Sequence, residues 1–146
     1  MNCGIIYSCA GRPSFLAEAI ESAKSVRRFL PSVKICLFHN YTEDVLASYE
    51  VSVFTELRKI EMPTTNDTRF TGHMSHFLAK LYSILETPYE NTLFLDTDTE
   101  IKKPIGSLFE LLKKFDIAIA PGPMTQPPVD SSDVINELPN EFPELN

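Results

Sequence analysis

Two aspartates separated by one residue, Asp96 and Asp98, directly follow the short apolar run Thr92–Leu95. Such a run is typical of a strand buried in a parallel sheet, and the carboxyl ends of these strands face the ligand crevice. Two carboxylates this close repel each other unless a cation lies between them. Hard divalent ions such as Mg²⁺ or Mn²⁺ prefer oxygen ligands and often share them with phosphates. The spacing therefore predicts a metal-assisted diphosphate site, although Asp and Thr also suit an ordinary turn.

The composition is that of an ordinary globular domain, with 146 residues of which 43% are hydrophobic and 23% charged. This length favours a single core. The net charge of −7 argues against a broad nucleic-acid footprint. No apolar run approaches the roughly 20 residues of a membrane-spanning helix. The N-terminus lacks the basic and apolar regions of a secretory signal, so a cytoplasmic protein is expected.

The charge and the prolines are unevenly distributed along the chain. Residues 121–146 contain five acidic residues, no Lys or Arg, and six of the 11 prolines. Subtracting these five negative charges from −7 leaves −2 on the preceding part, which would repel a phosphate ligand only weakly. We therefore predict two regions, an α/β domain over residues 1–120 and a Pro-rich acidic tail over residues 121–146.

The elements that must position the two aspartates follow from hydrophobic periodicity and from the Gly and Pro breakers. They predict strands at 3–10, 33–38, 51–54, 92–95 and 116–120, helices at 13–30, 42–48, 73–87 and 105–115, and a long loop at 55–72. Strands that alternate with helices in this way predict a mostly parallel, doubly wound, Rossmann-like α/β sheet.

The cysteines and histidines form no convincing site in the sequence. Cys3, Cys9 and Cys36 have no zinc-like spacing and lie in or beside predicted strands, which indicates buried, reduced thiols. A catalytic role for Cys9 is the alternative. His73 and His76 are three residues apart on one predicted helix, but two histidines without a third ligand favour packing over metal binding.

The segment from Lys80-Leu81-Tyr82-Ser83 through Asn91 to Thr99, which reads NTLFLDTDT, resembles glycosyltransferases of the GT-A type. The resemblance is to the glycogenin-like and related nucleotide-diphospho-sugar transferases. Their pattern has a helix bearing Lys or Arg, a short link, and an apolar strand that ends in D-x-D. The resemblance covers about residues 3–120 in order. It implies a metal-dependent transfer of sugar from a UDP- or GDP-sugar to an acceptor.

The resemblance also implies roles for individual residues around the motif. Asp98 would bind the Mn²⁺ or Mg²⁺ that carries the donor diphosphate. Asp96 would contact the metal directly or through water, or would contact the ribose, and Thr97 is grouped with the substrate-binding residues. Lys80 would face the donor phosphate or sugar, with a solvated surface lysine as the alternative. The resemblance names no catalytic side chain.

Further substrate contacts are implied at the ends of the first two strands. Ser8, Ala10 and Arg12 would line the base or the phosphate, although Arg12 also suits an ordinary turn. Asn40 would meet the ribose or the base, or would instead cap the turn into Thr42.

The chain departs from the family in its length. GT-A enzymes continue into a second half that supplies the acceptor site, and residues 142–146 resemble the stretch just before that half. The resemblance therefore implies an N-terminal donor-binding portion, truncated before the acceptor subdomain. Self-association through the face that the absent half would leave exposed is a further expectation.

Two other functions are compatible with an aspartate pair after an apolar strand. A HAD-type phosphatase carries D-x-D, but its motif has Thr where this chain has Glu100, and too few residues follow for its distal groups. A non-catalytic module that binds a nucleotide sugar or a metal, or a half-domain that needs a partner, is the second alternative.

Overall fold

The computed structural model describes residues 2–61 and 73–119, with side chains described from residue 78 onward in the second range. The elements are β1 (Cys3–Cys9), α1 (Pro13–Phe29), β2 (Lys34–His39), α2 (Glu43–Ala47), a 3₁₀ helix (Val51–Val53), β3 (Glu56–Lys59), α3 (His73–Leu85), β4 (Asn91–Phe94) and α4 (Leu108–Leu111). Over these two ranges, no helix has both the length and the hydrophobicity needed to cross a membrane.

The four strands form one sheet in the order β3-β2-β1-β4, and every pair is parallel. Ile5 of β1 lies opposite Ile35 on one side and Leu93 on the other. The chain runs outward from β1 to β3 and then returns to place β4 against the free side of β1. The predicted α/β class with a parallel sheet is therefore confirmed, and the strand order reverses between β1 and β4.

One face of the sheet, which we call the first face, is covered by α1. Pro13 starts this helix because its fixed φ suits the first helical turn, where no backbone N–H is needed. The apolar stripe of α1 then packs against alternate residues of β1 and β2, as predicted. The buried members of this cluster in the three elements are Ile5, Tyr7, Cys9, Leu16, Ala19, Ile20, Ala23, Val26, Ile35 and Leu37.

The opposite face, the second face, packs against α3 with a smaller cluster. Its buried members are Ile6, Ala10, Cys36, Phe38, Ile60, Ala79 and Tyr89. The ring of Tyr89 lies on Gly4 so closely that an added Cβ would come within 2.3 Å of two ring carbons. Because α1 and α3 cover opposite faces, the doubly wound arrangement predicted from the alternation is confirmed.

The predicted strand at 51–54 is wrong, and a strand lies just beyond it. Residues Val51–Val53 form a 3₁₀ helix, closed by a 3.1 Å bond from the amide of Phe54 to the carbonyl of Val51. The apolar side chains of Val51 and Val53 pack on the first-face cluster, so the apolar pattern here reflects core packing and not a strand. The edge strand β3, Glu56–Lys59, alternates half-buried and exposed side chains, so its polar sequence was interpreted as part of a loop.

The predictions for the two last elements are also wrong. The helix expected over 105–115 is limited to Leu108–Leu111, because only Ile105 and Phe109 of its early part pack on the first-face cluster. Residues 116–119 are not a strand, and Ile117 and Ile119 are largely exposed. A strand needs a hydrogen-bonded neighbour, and no described strand pairs with these residues.

The compact unit that contains the sheet extends to Asp116. The predicted division of the chain at residues 120 and 121 remains a prediction, since the tail at 121–146 lies outside the described residues. Most of the predicted loop at 55–72 and the side chains of His73 and His76 lie outside them as well.

Candidate functional site

A cavity of about 200 Å³ lies at the carboxyl edge of the sheet, where the strand order reverses. Ligands of open α/β sheets characteristically bind in the crevice outside the carboxyl ends of the strands, at such a reversal of strand order. The cavity is lined by Ser8, Ala10, Phe15, Ala79, Lys80 and Thr97. Four of the predicted substrate-binding residues are therefore brought together here.

The end of β1 provides the inner wall of this cavity. Ser8 and Ala10 continue the alternation that directs Ile6 to the second face, and both are buried. The hydroxyl of Ser8 lies 3.0 Å from that of Ser83 in α3, whose oxygen is also 2.7 Å from the carbonyl of Ala79. This contact ties β1 to α3 directly beneath the cavity.

Lys80 reaches from α3 across the cavity to the turn after β4. Its ammonium donates to Oδ1 of Asp96 and lies 5.9 Å from the centre of the Phe94 ring. Both charged side chains keep partial contact with solvent, with 39% of Lys80 and 52% of Asp96 exposed. Lys80, which the resemblance placed beside the donor phosphate or sugar, thus forms a direct ion pair with the D-x-D segment, and its contact with a donor remains a prediction.

The two aspartates lie on one tight turn, where Asp96 contacts Lys80 and Asp98 lines a different cavity from the one that Lys80 lines. The turn is closed by a 3.1 Å bond from the amide of Thr99 to the carbonyl of Asp96. Asp98 lines a second cavity of about 460 Å³, which it shares with Glu18, among others. Thr97 lines both cavities, and its hydroxyl lies 3.4 Å from the Glu18 carboxylate.

The donor set of this turn suits a hard divalent ion only in part. Asp96 and Asp98 offer carboxylate oxygens, which Mg²⁺ and Mn²⁺ prefer. Throughout residues 2–61 and 73–119, however, no three His, Cys, Asp or Glu side chains are grouped to hold a metal ion. The residues thus fit an ion whose shell is completed by phosphate and water, not one held by protein groups alone.

Three predicted substrate-binding residues, Asp96, Asn40 and Arg12, are not part of the described cavity lining. Oδ1 of Asn40 accepts a 3.0 Å bond from the amide of Gly11, where the chain turns with a φ of 95° that favours glycine. Arg12 is exposed, and its carbonyl accepts a 2.8 Å bond from the Tyr41 hydroxyl. In this structure, Asn40 and the backbone of Arg12 fix the turn between β1 and α1.

The sequence interpretation missed three residues that shape the site. Phe15 lines the cavity from α1, and Ala79 lines it from α3. Ser83 is fully buried beneath it. The position of Ser83, three residues after Lys80 and hence near it on the same helix, was a usable signal. Phe15 gave no distinctive signal, since an aromatic residue early in a helix more often belongs to the core.

The thiols of Cys9 and Cys36 and the imidazole of His39 are buried in β1 and β2. Burial raises the pKa of Cys9 to about 12, and the thiol donates to the carbonyl of Phe15 at 3.4 Å. Burial likewise raises the pKa of Cys36 to about 12. Burial also lowers the pKa of His39, which stacks on Tyr41. These thiols are therefore inert at neutral pH, which disfavours the catalytic alternative for Cys9.

Comparison with known proteins identifies no family for this chain. No family model matches the sequence, and no curated protein sequence matches it significantly. The proposed function consequently depends on the sequence motif and on the geometry of the cavity.

Proposed function

We propose that this chain binds a nucleoside-diphosphate sugar in the cavity between β1 and β4 and provides the donor-binding part of a glycosyltransferase. The observation that carries the proposal is the ion pair between Lys80 and Asp96 at the reversal of strand order. One cation and two carboxylates beside a crevice of this kind are the groups that a metal-bound diphosphate requires.

The lining residues differ in chemistry, and each suits a different part of a nucleoside-diphosphate sugar. Lys80 would attract the diphosphate, since its ammonium is the one cationic group in the described lining. The hydroxyls of Ser8 and Thr97 would donate to ribose or phosphate oxygens. Phe15 and the small side chains of Ala10 and Ala79 offer apolar surface that suits the flat face of a base.

Asp96 and Asp98 would hold Mn²⁺ or Mg²⁺ together with the diphosphate. When bound, the ion would neutralise the charge that develops on the leaving nucleoside diphosphate. The contribution of the chain is to orient the diphosphate and to keep positive charge beside it through Lys80. The acceptor and the group that activates it are not among the residues assigned to this cavity.

A second candidate is a nucleotide-sugar-binding module without transferase activity, which acts with another polypeptide or a second copy. The exposed apolar side chains on α3 favour it, because such residues on a soluble surface often mark an interface. They are Leu81, Tyr82, Ile84 and Leu85. Hydrolysis or transfer of a UDP- or GDP-sugar by the isolated chain would exclude this candidate.

Calorimetry with UDP and GDP, with and without Mn²⁺, tests the binding proposal. We expect one nucleotide to bind in a Mn²⁺-dependent way, and Asp98→Ala to weaken that binding by about tenfold or more, as loss of a metal ligand does. The matched control is Asp44→Ala, which removes an exposed carboxylate from α2 outside both cavities. Metal-independent binding, or equal effects of the two substitutions, would show that the proposal is wrong.

A further inference from the structure

The two carboxylates of the turn differ in their partners. Asp96 is neutralised by Lys80, whereas Asp98 has no ion pair with any described residue. Nearby, Arg28 pairs with Glu100 instead. A cation that approaches the turn therefore finds one carboxylate available and the other already bound to an ammonium.

From this asymmetry we infer that Lys80 acts as an internal substitute for the divalent cation and must leave Asp96 before the ion can bind there. This inference depends on the proposed function, since it concerns the order of events at the same site. Lysine suits the role because its ammonium is a compact point charge on a flexible stem, so it can move between two nearby anions.

The diphosphate gives Lys80 a second anion inside the same cavity. Without nucleotide, an ion that binds Asp96 must displace Lys80 and leave its ammonium without a partner. With nucleotide present, the ammonium can move to a phosphate oxygen, and the carboxylate is released to the ion. Nucleotide and ion therefore strengthen each other's binding, and the coupling is reciprocal by thermodynamic linkage.

The size of this effect follows from the exposure of the ion pair. Both partners are partly exposed, and pairs of this kind contribute modestly to stability in water. Removal of the competing ammonium in Lys80→Met should therefore tighten binding of Mn²⁺ alone by about two- to fivefold. The gain in Mn²⁺ affinity on addition of UDP or GDP should shrink by a similar factor.

Titration of the full chain with Mn²⁺ is followed by electron paramagnetic resonance, with and without a saturating nucleotide. It measures the affinity for Mn²⁺ alone and the gain in that affinity when nucleotide is bound. Lys113→Met is the matched control, because it removes one lysine from a surface pair with Glu110 and lines neither cavity. Lys80→Arg retains the positive charge and should keep the Mn²⁺ affinity of the wild type. Circular dichroism shows whether each variant is folded.

The outcomes separate this inference from the proposed function. If wild-type chain binds nucleotide with Mn²⁺, but Lys80→Met binds Mn²⁺ alone no more tightly than wild type does, the inference is wrong and the function stands. Failure of the wild type to bind either nucleotide with Mn²⁺ overturns the proposed function, whatever the variant does. Absence of Mn²⁺ binding to every variant overturns both.

Discussion

The helices that cover the two faces of the sheet differ in how many apolar side chains they leave exposed. On the first face, the stripe of α1 is almost completely buried, with Leu16, Ala23 and Val26 at 0% exposure. On the second face, α3 buries Ala79 and Ser83 but leaves Leu85 81% exposed. The cavity draws on both sides, because α1 contributes Phe15 and α3 contributes Lys80.

The proposed site thus combines residues of a helix that buries its apolar stripe with residues of a helix that also exposes apolar side chains. The first face fixes the end of β1 and the turn into α1. The second face carries the lysine that has to move if the ion is to reach Asp96. A buried tyrosine hydroxyl, that of Tyr89, also lies on the second face and has no hydrogen-bond partner among the described residues.

The largest expected effect is on the first face. Leu16→Ala should lower the free energy of unfolding by about 2–5 kcal/mol, because it leaves a cavity in the cluster under α1. Leu85→Ala on α3 is the matched substitution and should change stability by less than about 0.5 kcal/mol. Urea unfolding of the two variants measures both values, and equal losses would remove the contrast between the faces.

An intermediate effect is expected where the second face is tightly packed. Gly4→Ala would place a Cβ 2.3 Å from the Tyr89 ring, which has to shift, at a cost of about 1–3 kcal/mol. Gly106→Ala is the control, because its Cβ would make an ordinary 3.5 Å contact with Leu30. Thermal unfolding compares the two, and a neutral Gly4→Ala would mean that Tyr89 is loosely held.

The smallest expected effect concerns pH at the end of β2. Burial holds the pKa of His39 below its ordinary value of about 6.5, with Glu43 partly opposing this shift. The unfolded chain therefore takes up this proton at a higher pH than the folded chain does. The contribution of His39 to stability is fully present above about pH 6.5 and is lost as the pH falls through the folded-state pKa.

Melting temperatures between pH 7.5 and 5 measure this loss. In His39→Phe the titrating ring is absent, so the fall in melting temperature below pH 6.5 should be smaller than in the wild type. Parallel curves for the two proteins would mean that His39 does not titrate differently in the folded and unfolded states.

Helices and strands with a strong hydrophobic pattern were predictable from the sequence. The stripe of α1 and the apolar runs of β1 and β2 specify burial on their own, and the order of the elements was correct. The run of β4 was correctly predicted as a strand, but its expected full burial is wrong, since its four residues are half-buried at the edge of the described sheet. Strand β3 was missed because an edge strand can be polar, and the 3₁₀ helix at Val51–Val53 was taken for a strand because its two valines pack on the core.

Only part of the candidate site could be predicted from the sequence. Ser8, Ala10, Lys80 and Thr97 were grouped through the resemblance, and they meet in one cavity because the carboxyl ends of β1 and β4 lie at one edge beside α3. The different surroundings of the two aspartates, Lys80 for Asp96 and the larger cavity for Asp98, depend on the turn that they form, which spacing alone does not specify. The bond from the Gly11 amide to Oδ1 of Asn40 joins two loops, and only their packing brings these residues together.

Thr97 lines both cavities, so its side chain is a boundary that the two cavities share. A shift of this side chain toward one cavity would enlarge the other cavity. A ligand that pushes Thr97 away from the cavity between β1 and β4 would also move it against Glu18. A ligand that moved Thr97 in this way would reduce the space in the larger, acidic cavity.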